Sequence, residues 1–440
     1  MALVSANTLR KRFFKQLSEM YAKEVPLYDK LLETVKDINQ LVASQHPEWG
    51  LTDEQLRNLS SERHGAIRLG KPSELKMMAR FFNQLGMQPV NFYNLADAGA
   101  KSQPVISTAF RPLKHADHRI FCSLLMTDYF EDEIRKRIED ALEAREIFSE
   151  TLVALIEIGE SQGGFDEKQA QQFIEEGQTL FGWRGQATDY QLYQDLVAKK
   201  VNIAADVACF PNPHLNHLTP NSLDIERLYQ EMKQRLGDQY KMYDHKGMKD
   251  SIEGPPSSPA LVFLRQTSYK ALTEKVIFKN PVDGSETQAT HTARFGEIEQ
   301  RGVAMTQKGR KLYDEAIKKA EAIDAQLAVK DYDAYMQAYA DCFTEIPRTH
   351  TELRNRQLAF YRYEVTDKGY ETIHAKESVP GDIESCIAAE LIHYVPIRYE
   401  DFLPVSAAGI FASNLNQYGT ESENANHRQY HKSITGRDHG

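Results

Sequence analysis

The chain has 440 residues, 41% hydrophobic and 26% charged, which is typical of globular proteins and argues against wholesale disorder. Its formal net charge of −10 argues against a nucleic-acid surface and against an anionic membrane face, while leaving room for a local basic pocket. No run approaches the roughly 18–20 apolar residues of a membrane span, the start lacks the order of a secretory signal, and the four cysteines form no CxxC pair. We therefore expect a cytoplasmic protein with reduced cysteines.

The first half of the chain predicts helices followed by a mixed unit. Apolar residues recur at helical spacing in 1–45, which predicts two N-terminal helices. Residues 46–128 are predicted to form a first unit, with a short strand, a helix capped by Ser73 and two further strands, "PVISTAF" and "RIFCSLL". The charged segment 129–200 predicts a helical insertion that covers one side of a sheet.

The second half repeats this order. Residues 201–306 predict a second unit, with a strand, an amphipathic helix and the strands "PALVFLRQTSY" and "EKVIFKN". Residues 307–420 predict a helix at about 307–343 and a C-terminal region that completes the site, and 421–440 predict a polar tail.

A weak internal repeat links the two units. The segments from His64 to Met87 and from His217 to Asp238 both contain a histidine, a turn with a proline, a serine cap and an amphipathic helix ending in Leu-Gly. Each histidine would then lie on the first strand of its unit.

The stretch "RFGEIEQRGVAMT" supplies acidic groups. Glu297 and Glu299 lie on the same side of a predicted strand, because side chains alternate along a strand. Carboxylates on a buried strand are costly unless a positive charge compensates them. If the two first-strand histidines converge with one glutamate, they form the two-histidine, one-carboxylate triad of non-haem iron.

The residue pattern does not decide which histidine and which glutamate of this triad would bind the metal. In "HLNHLTP" either His214 or His217 could point inward. Alternation cannot distinguish Glu297 from Glu299, and the residue that does not bind the metal would support the ligands, together with Arg301.

Arg68 lies an even number of residues from His64 and therefore on the same strand face. A cation beside a metal is unfavourable unless a carboxylate ligand joins them, and the planar guanidinium is suited to bind one. The alternative is a salt bridge between Arg68 and a protein acid such as Glu299.

The segment "FGEIEQRG" resembles the metal-binding strand of 4-hydroxyphenylpyruvate dioxygenase, and this resemblance implies Glu297 as the ligand. That enzyme belongs to the vicinal oxygen chelate superfamily, whose paired β-α-β-β-β units each carry a histidine on the first strand. The resemblance implies an α+β fold in which two such units form an open, barrel-like sheet around one metal, with helical insertions.

Over essentially the whole chain, "RHGAIRLG", "NHLTP", "FGEIEQRG" and "EDFLPVSAAGIF" resemble the 2-oxoadipate dioxygenase/decarboxylase family, also called D-2-hydroxyglutarate synthases. The resemblance implies Fe(II) as the cofactor. It also implies a set of site residues: the iron ligands His64, His217 and Glu297, the catalytic, substrate-binding Arg68, and Val405 and Ser406 beside the substrate.

The implied reaction is the oxygen-dependent decarboxylation and hydroxylation of a 2-oxo dicarboxylic acid, 2-oxoadipate, to 2-hydroxyglutarate and carbon dioxide. A zinc- or nickel-dependent isomerase or lyase is one rival, in which Glu299 would be a base or a further ligand, and oxygen consumption separates the two. A metal-free protein that sequesters a small acid is a third hypothesis. The sequence predicts neither the oligomeric state nor the preferred chain length of the acid.

Overall fold

The structure is a computed structural model that describes residues 2–49, 51–96, 103–114, 116–236, 255, 262–268, 272–294 and 296–402. These residues form sixteen α-helices and twelve β-strands. The helices are α1 Ala6–Glu24, α2 Tyr28–Gln45, α3 Asp53–Ser61, α4 Pro72–Gln84, α5 Asp132–Glu143, α6 Glu150–Gln162, α7 Glu167–Phe181, α8 Tyr190–Ala198, α9 Asn202–Cys209, α10 Ile225–Leu236, α11 Gln307–Glu321, α12 Ala325–Lys330, α13 Tyr332–Asp341, α14 His350–Asn355, α15 Asp367–His374 and α16 Ile383–Ala388.

The strands are β1 Arg63–Leu69, β2 Gln88–Asn94, β3 Val105–Arg111, β4 His118–Leu125, β5 Gln186–Thr188, β6 His217–Pro220, β7 Arg265–Ser268, β8 Thr273–Lys279, β9 Glu286–Thr292, β10 Glu297–Gln300, β11 Tyr361–Val365 and β12 Ile392–Pro396. The fold is thus a mixed assembly of α-helices and β-sheets, as predicted.

The largest sheet among the described residues has five strands in the order β2-β3-β4-β1-β6. β1 runs parallel to β4 and antiparallel to β6. The order β1-α4-β2-β3-β4 forms one β-α-β-β-β unit, whose strands β3 and β4 are the predicted "PVISTAF" and "RIFCSLL". The sequence did not predict β2.

The two faces of this sheet differ in polarity. One face carries apolar side chains such as Ile67, Ile120 and Leu218, which form a core with the N-terminal helices. The opposite face carries His64 and Arg68 and is covered by α9, which contacts β1 and β4. The functional groups therefore lie on the face opposite the N-terminal helices.

A second, two-stranded sheet extends this arrangement. β10 pairs with β7 in antiparallel register, and a single parallel bridge from Asn221 to Glu299 joins it to the end of β6. Consequently β1, β6 and β10 lie side by side.

The second unit departs from the predicted succession of strands. β8, the predicted "EKVIFKN", pairs with β5 and β9 in a separate three-stranded sheet. The segment 129–200 contains β5 as well as helices α5 to α8.

The single helix expected at about 307–343 is wrong, because three helices occupy this range. The Asp324 side chain accepts a hydrogen bond from the Gln326 amide at the start of α12, and Asp331 does the same for Ala334 at the start of α13. An aspartate in this position begins a new helix rather than continuing the previous one.

Within the described residues, no helix combines the length and the apolar character needed to cross a bilayer.

Candidate metal centre and substrate-facing surroundings

Three fully buried side chains form a group that could hold a metal ion: His64 of β1, His217 of β6 and Glu297 of β10. Each offers one ligand atom, and these atoms lie within 4.8 Å of one another. The three metal ligands implied by the family resemblance are therefore close together in the structure.

Strand register brings these residues together. In the antiparallel pair β1 and β6, Ala66 lies opposite His217 and His64 lies opposite Thr219. Opposite residues of antiparallel strands share a face, so both imidazoles project to the same side. β10 lies along the far side of β6, which adds the carboxylate.

The distances within the group fit ligands of one ion. His64 Nε2 lies 3.2 Å from Glu297 Oε1, and His217 Nδ1, which is hydrogen-bonded to the Thr219 hydroxyl at 3.0 Å, lies 3.4 Å from Glu297 Oε2. Ligand atoms that are each about 2.1 Å from one metal are roughly 3 Å apart. Nε2 and Nδ1 of His64 are both buried and face the carboxylates of Glu297 and Glu299 respectively, so Nε2 and Glu297 are placed to share one cation.

Glu299 contacts the opposite side of the His64 ring. Its Oε2 lies 2.9 Å from His64 Nδ1, and its carboxylate receives the Arg301 guanidinium, with Nε 3.0 Å from Oε1. Burial opposes ionisation of Glu299, but Arg301 and His64 outweigh it and hold the pKa of this carboxyl well below its usual range. An acceptor on Nδ1 orients the imidazole, and Nε2 is directed at Glu297.

His214 belongs to a different group, so His217 rather than His214 accompanies His64 and Glu297. The second group consists of Asp206 of α9, His214 and His291 of β9, all buried. The Nε2 atoms of both histidines lie 3.1 Å from Asp206 Oδ1.

Arg68 joins this second group. Its Nη1 donates to Asp206 Oδ2 at 2.6 Å, and both side chains are almost completely buried. The acidic partner considered from the sequence, Glu299, is engaged by Arg301 instead. Asp206 was missed, although the signal was present as a single charged residue in the otherwise apolar stretch "IAADVAC".

The face between the metal group and Arg68 is small or polar. Ala66 is the only residue of β1 on this face between His64 and Arg68. Ser123 lies beside Arg68 in the parallel register, and its hydroxyl is 2.9 Å from that of Ser107.

Phe402 closes the site at the end of the described chain. Its ring meets the His64 ring edge to face, with 5.2 Å between centroids, and the Arg301 guanidinium carbon lies 5.2 Å from its centroid. The predicted substrate-contacting residues Val405 and Ser406 lie outside the described residues.

Ion pairs hold the segment before Phe402 onto the sheet. Glu62, just before β1, contacts Arg119 of β4 at 3.1 Å and also Arg398. Arg119 in turn contacts Glu400. The network fixes the chain that leads to Phe402.

The fold and this centre define a mixed α/β protein with a buried two-histidine, one-carboxylate group that could hold a metal. Comparison with known proteins gives the family, since the family model for 2-oxoadipate dioxygenase/decarboxylase matches residues 13–414. The chain belongs to this enzyme family.

The similarity to individual members extends over nearly the full length of both chains. The chain is 41% identical over 435 residues to the 2-oxoadipate dioxygenase/decarboxylase of Escherichia coli (strain K12), covering 96% of this chain and 91% of the relative. For the enzyme of the same name from Pseudomonas putida the identity is 39%, covering 98% and 92%. The crystal structure of the Pseudomonas putida hydroxyglutarate synthase in complex with 2-oxoadipate aligns with a TM-score of 0.82 and 39% identity, covering 94% of this chain and 90% of that one.

Proposed function

We propose that the protein is an iron(II)-dependent dioxygenase and decarboxylase that converts 2-oxoadipate and oxygen into 2-hydroxyglutarate and carbon dioxide. The observation that carries this proposal is the buried group His64, His217 and Glu297 in a chain whose relatives bear that name. The atoms balance, since one oxygen atom enters the new carboxylate and the other the hydroxyl, while the original C1 leaves as carbon dioxide.

We propose His64, His217 and Glu297 as the ligands of the ion. Two imidazoles and one carboxylate on one side leave coordination positions for a bidentate substrate and for oxygen, which is the pattern of iron(II) oxygenases. Bound iron(II) would supply the coordination of the 2-oxo acid and the electron transfer to oxygen. Glu299 would hold the His64 ring in place, and Phe402 would exclude water from one side.

Arg68 is proposed to bind the carboxylate at the far end of the substrate. It lies four residues beyond His64 on the same face of β1, which corresponds to about 13 Å between Cα atoms. The Arg68 side chain is long enough to bring its guanidinium closer to the metal group than its Cα atom is. The small Ala66 between His64 and Arg68 leaves room for a short aliphatic chain. Val405 and Ser406 are proposed to lie beside the substrate, as the family resemblance implies.

The finer fold is also a proposal. The order β1-α4-β2-β3-β4 and the parallel approach of β6 and β10 support two vicinal-oxygen-chelate units around one metal, in an open, barrel-like arrangement. In this view the hairpin β8-β9 is an insertion in the second unit. We further propose that the whole chain is one catalytic domain with the divisions expected from the sequence, and the cytoplasmic location stays a prediction.

The test is an oxygen-electrode assay with 2-oxoadipate, using protein purified without oxygen and loaded with iron(II). We expect one oxygen consumed per carbon dioxide released, and 2-hydroxyglutarate that carries label from ¹⁸O₂. Glu297→Gln should remove turnover, whereas the matched surface change Glu364→Gln should not. Equal turnover without oxygen would contradict the proposal and favour a zinc- or nickel-dependent isomerase or lyase.

A further inference from the structure

We propose that Asp206, held by His214 and His291, is a positioning residue that fixes the guanidinium of Arg68 and so sets the preference for a dicarboxylic substrate. This inference rests on the proposed function, because it assigns Arg68 to the far carboxylate of the substrate.

The contacts converge on both oxygens of Asp206. Oδ2 accepts a hydrogen bond from Arg68 Nη1 at 2.6 Å and a longer one from Asn216 Nδ2 at 3.3 Å. Oδ1 faces the Nε2 atoms of His214 and His291, each at 3.1 Å. A carboxylate with partners on both oxygens has little freedom to rotate, so the position of Arg68 Nη1 is restrained as well.

The two imidazoles are themselves immobilised. His291 Nδ1 lies 3.1 Å from the hydroxyl of Tyr193, and the Phe210 ring packs on His291 with centroids 4.5 Å apart. The Trp183 ring meets His214 edge to face at 4.7 Å. Packing from these rings and the tyrosine bond keep both Nε2 atoms directed at Asp206.

Charge explains why the arrangement suits a binding arginine. A buried guanidinium needs an opposite charge, and Asp206 provides this charge for Arg68. Burial opposes ionisation of Asp206, but His214 and Arg68 outweigh the effect of burial and hold the pKa of this carboxyl well below its usual range. The five N–H donors of a guanidinium allow it to bind a protein carboxylate and a ligand carboxylate together. Asp206 can therefore hold Arg68 while Arg68 holds the substrate.

A second metal ion is the other role that two histidines and one aspartate could have. The pairing of Asp206 with Arg68 argues against it, because a divalent ion at Oδ1 would add two positive charges close to a buried guanidinium. The metal count per chain distinguishes the two roles.

The test measures binding without oxygen, so that it does not depend on turnover. Calorimetry on iron-loaded Asp206→Asn, which keeps the size of the side chain and removes its charge, is compared with wild type for two ligands, 2-oxoadipate and 2-oxohexanoate, which lacks the second carboxylate. We expect about 10- to 100-fold weaker binding of 2-oxoadipate, with 2-oxohexanoate changed about twofold or less and the iron content unchanged.

Two further variants keep the test informative. His291→Phe retains the packing on Phe210 but loses the contact with Asp206. Its affinity for 2-oxoadipate should therefore fall by less than in Asp206→Asn, while its affinity for 2-oxohexanoate stays the same. This variant provides the test if Asp206→Asn does not fold. Asp117→Asn, which alters a partly buried acid paired with a different arginine, Arg10, should leave both affinities unchanged.

Equal losses for the two ligands, or no loss for either, would overturn the positioning role. A second equivalent of metal in wild type that disappears in His291→Phe would overturn it in favour of a metal site. Failure of the proposed function looks different, because wild type would then bind 2-oxoadipate without consuming oxygen or would not bind it at all.

Discussion

Glu297 and Glu299 are two residues apart on one strand face and equally buried, yet their surroundings give them different roles. Glu299 is neutralised by the adjacent Arg301, whose nitrogens lie 3.0 and 2.9 Å from its two oxygens. Glu297 instead accepts a hydrogen bond from the neutral amide of Gln266 at 2.9 Å and faces His64 and His217. Glu297, which faces both imidazoles, is the carboxylate suited to share a cation with them.

The metal content of two isosteric variants tests this difference. Glu297→Gln should lose nearly all bound iron, because an amide oxygen is a neutral and weaker ligand. Glu299→Gln should still bind iron, with affinity lowered about 10- to 100-fold, as is usual when a group that orients a ligand is changed. Elemental analysis of protein purified without oxygen measures both.

The controls for this prediction use the histidine pair of "HLNHLTP". His214→Ala should retain iron, whereas His217→Ala should not. Loss of iron from Glu299→Gln but not from Glu297→Gln would show that Glu299, and not Glu297, is the carboxylate ligand.

At the scale of elements, the sequence pattern predicted β3 and β4, which are short and almost entirely buried runs, and missed the more exposed β2. β2 was missed because its sequence, "QPVNFYN", contains a proline and has Asn91 at a φ of 64°, where the pairing with β3 shifts register. β8 was recognised as a strand, but alternation does not specify which sheet a strand joins, and β8 pairs with β5 and β9.

The same limit applies to the site. Histidines on first strands and acidic residues on a later strand are visible in the sequence, and same-face spacing places Arg68 with His64. Asp206 stands out as a single charge in an apolar stretch, but its pairing with Arg68 could not be predicted, because the two residues are 138 positions apart in the chain. The choice of His217 over His214 likewise depends on the register between β1 and β6.

The ion-pair network before β1 carries a prediction about stability. Glu62→Gln would leave the fully buried Arg119 with Glu400 alone and would remove the contact with Arg398. Loss of one partner from a buried ion pair is costly, so the free energy of unfolding should fall by about 3 kcal/mol. Denaturant unfolding monitored by circular dichroism measures the change.

A matched surface variant is the control for Glu62. Glu167→Gln breaks the exposed pair with Arg12, and exposed pairs contribute little to stability. Similar losses in the two variants would show that Glu62 does not have the structural role assigned to it.

At the scale of the whole molecule, the proposed ligands lie on three strands that are far apart in the chain, at positions 64, 217 and 297. Unfolding separates them, so a metal that needs all three binds the native state in preference to the unfolded one. Iron(II) at about 100 times its dissociation constant should therefore raise the free energy of unfolding by about 2.7 kcal/mol, and the melting temperature should rise by a few degrees. Thermal unfolding without oxygen, with and without iron(II), measures the rise, and a chelator should reverse it.

The rise should disappear in Glu297→Ala and persist in Glu364→Ala, which removes an exposed carboxylate 3.2 Å from His393. If iron(II) still raised the melting temperature of Glu297→Ala, the ion would be binding at another site.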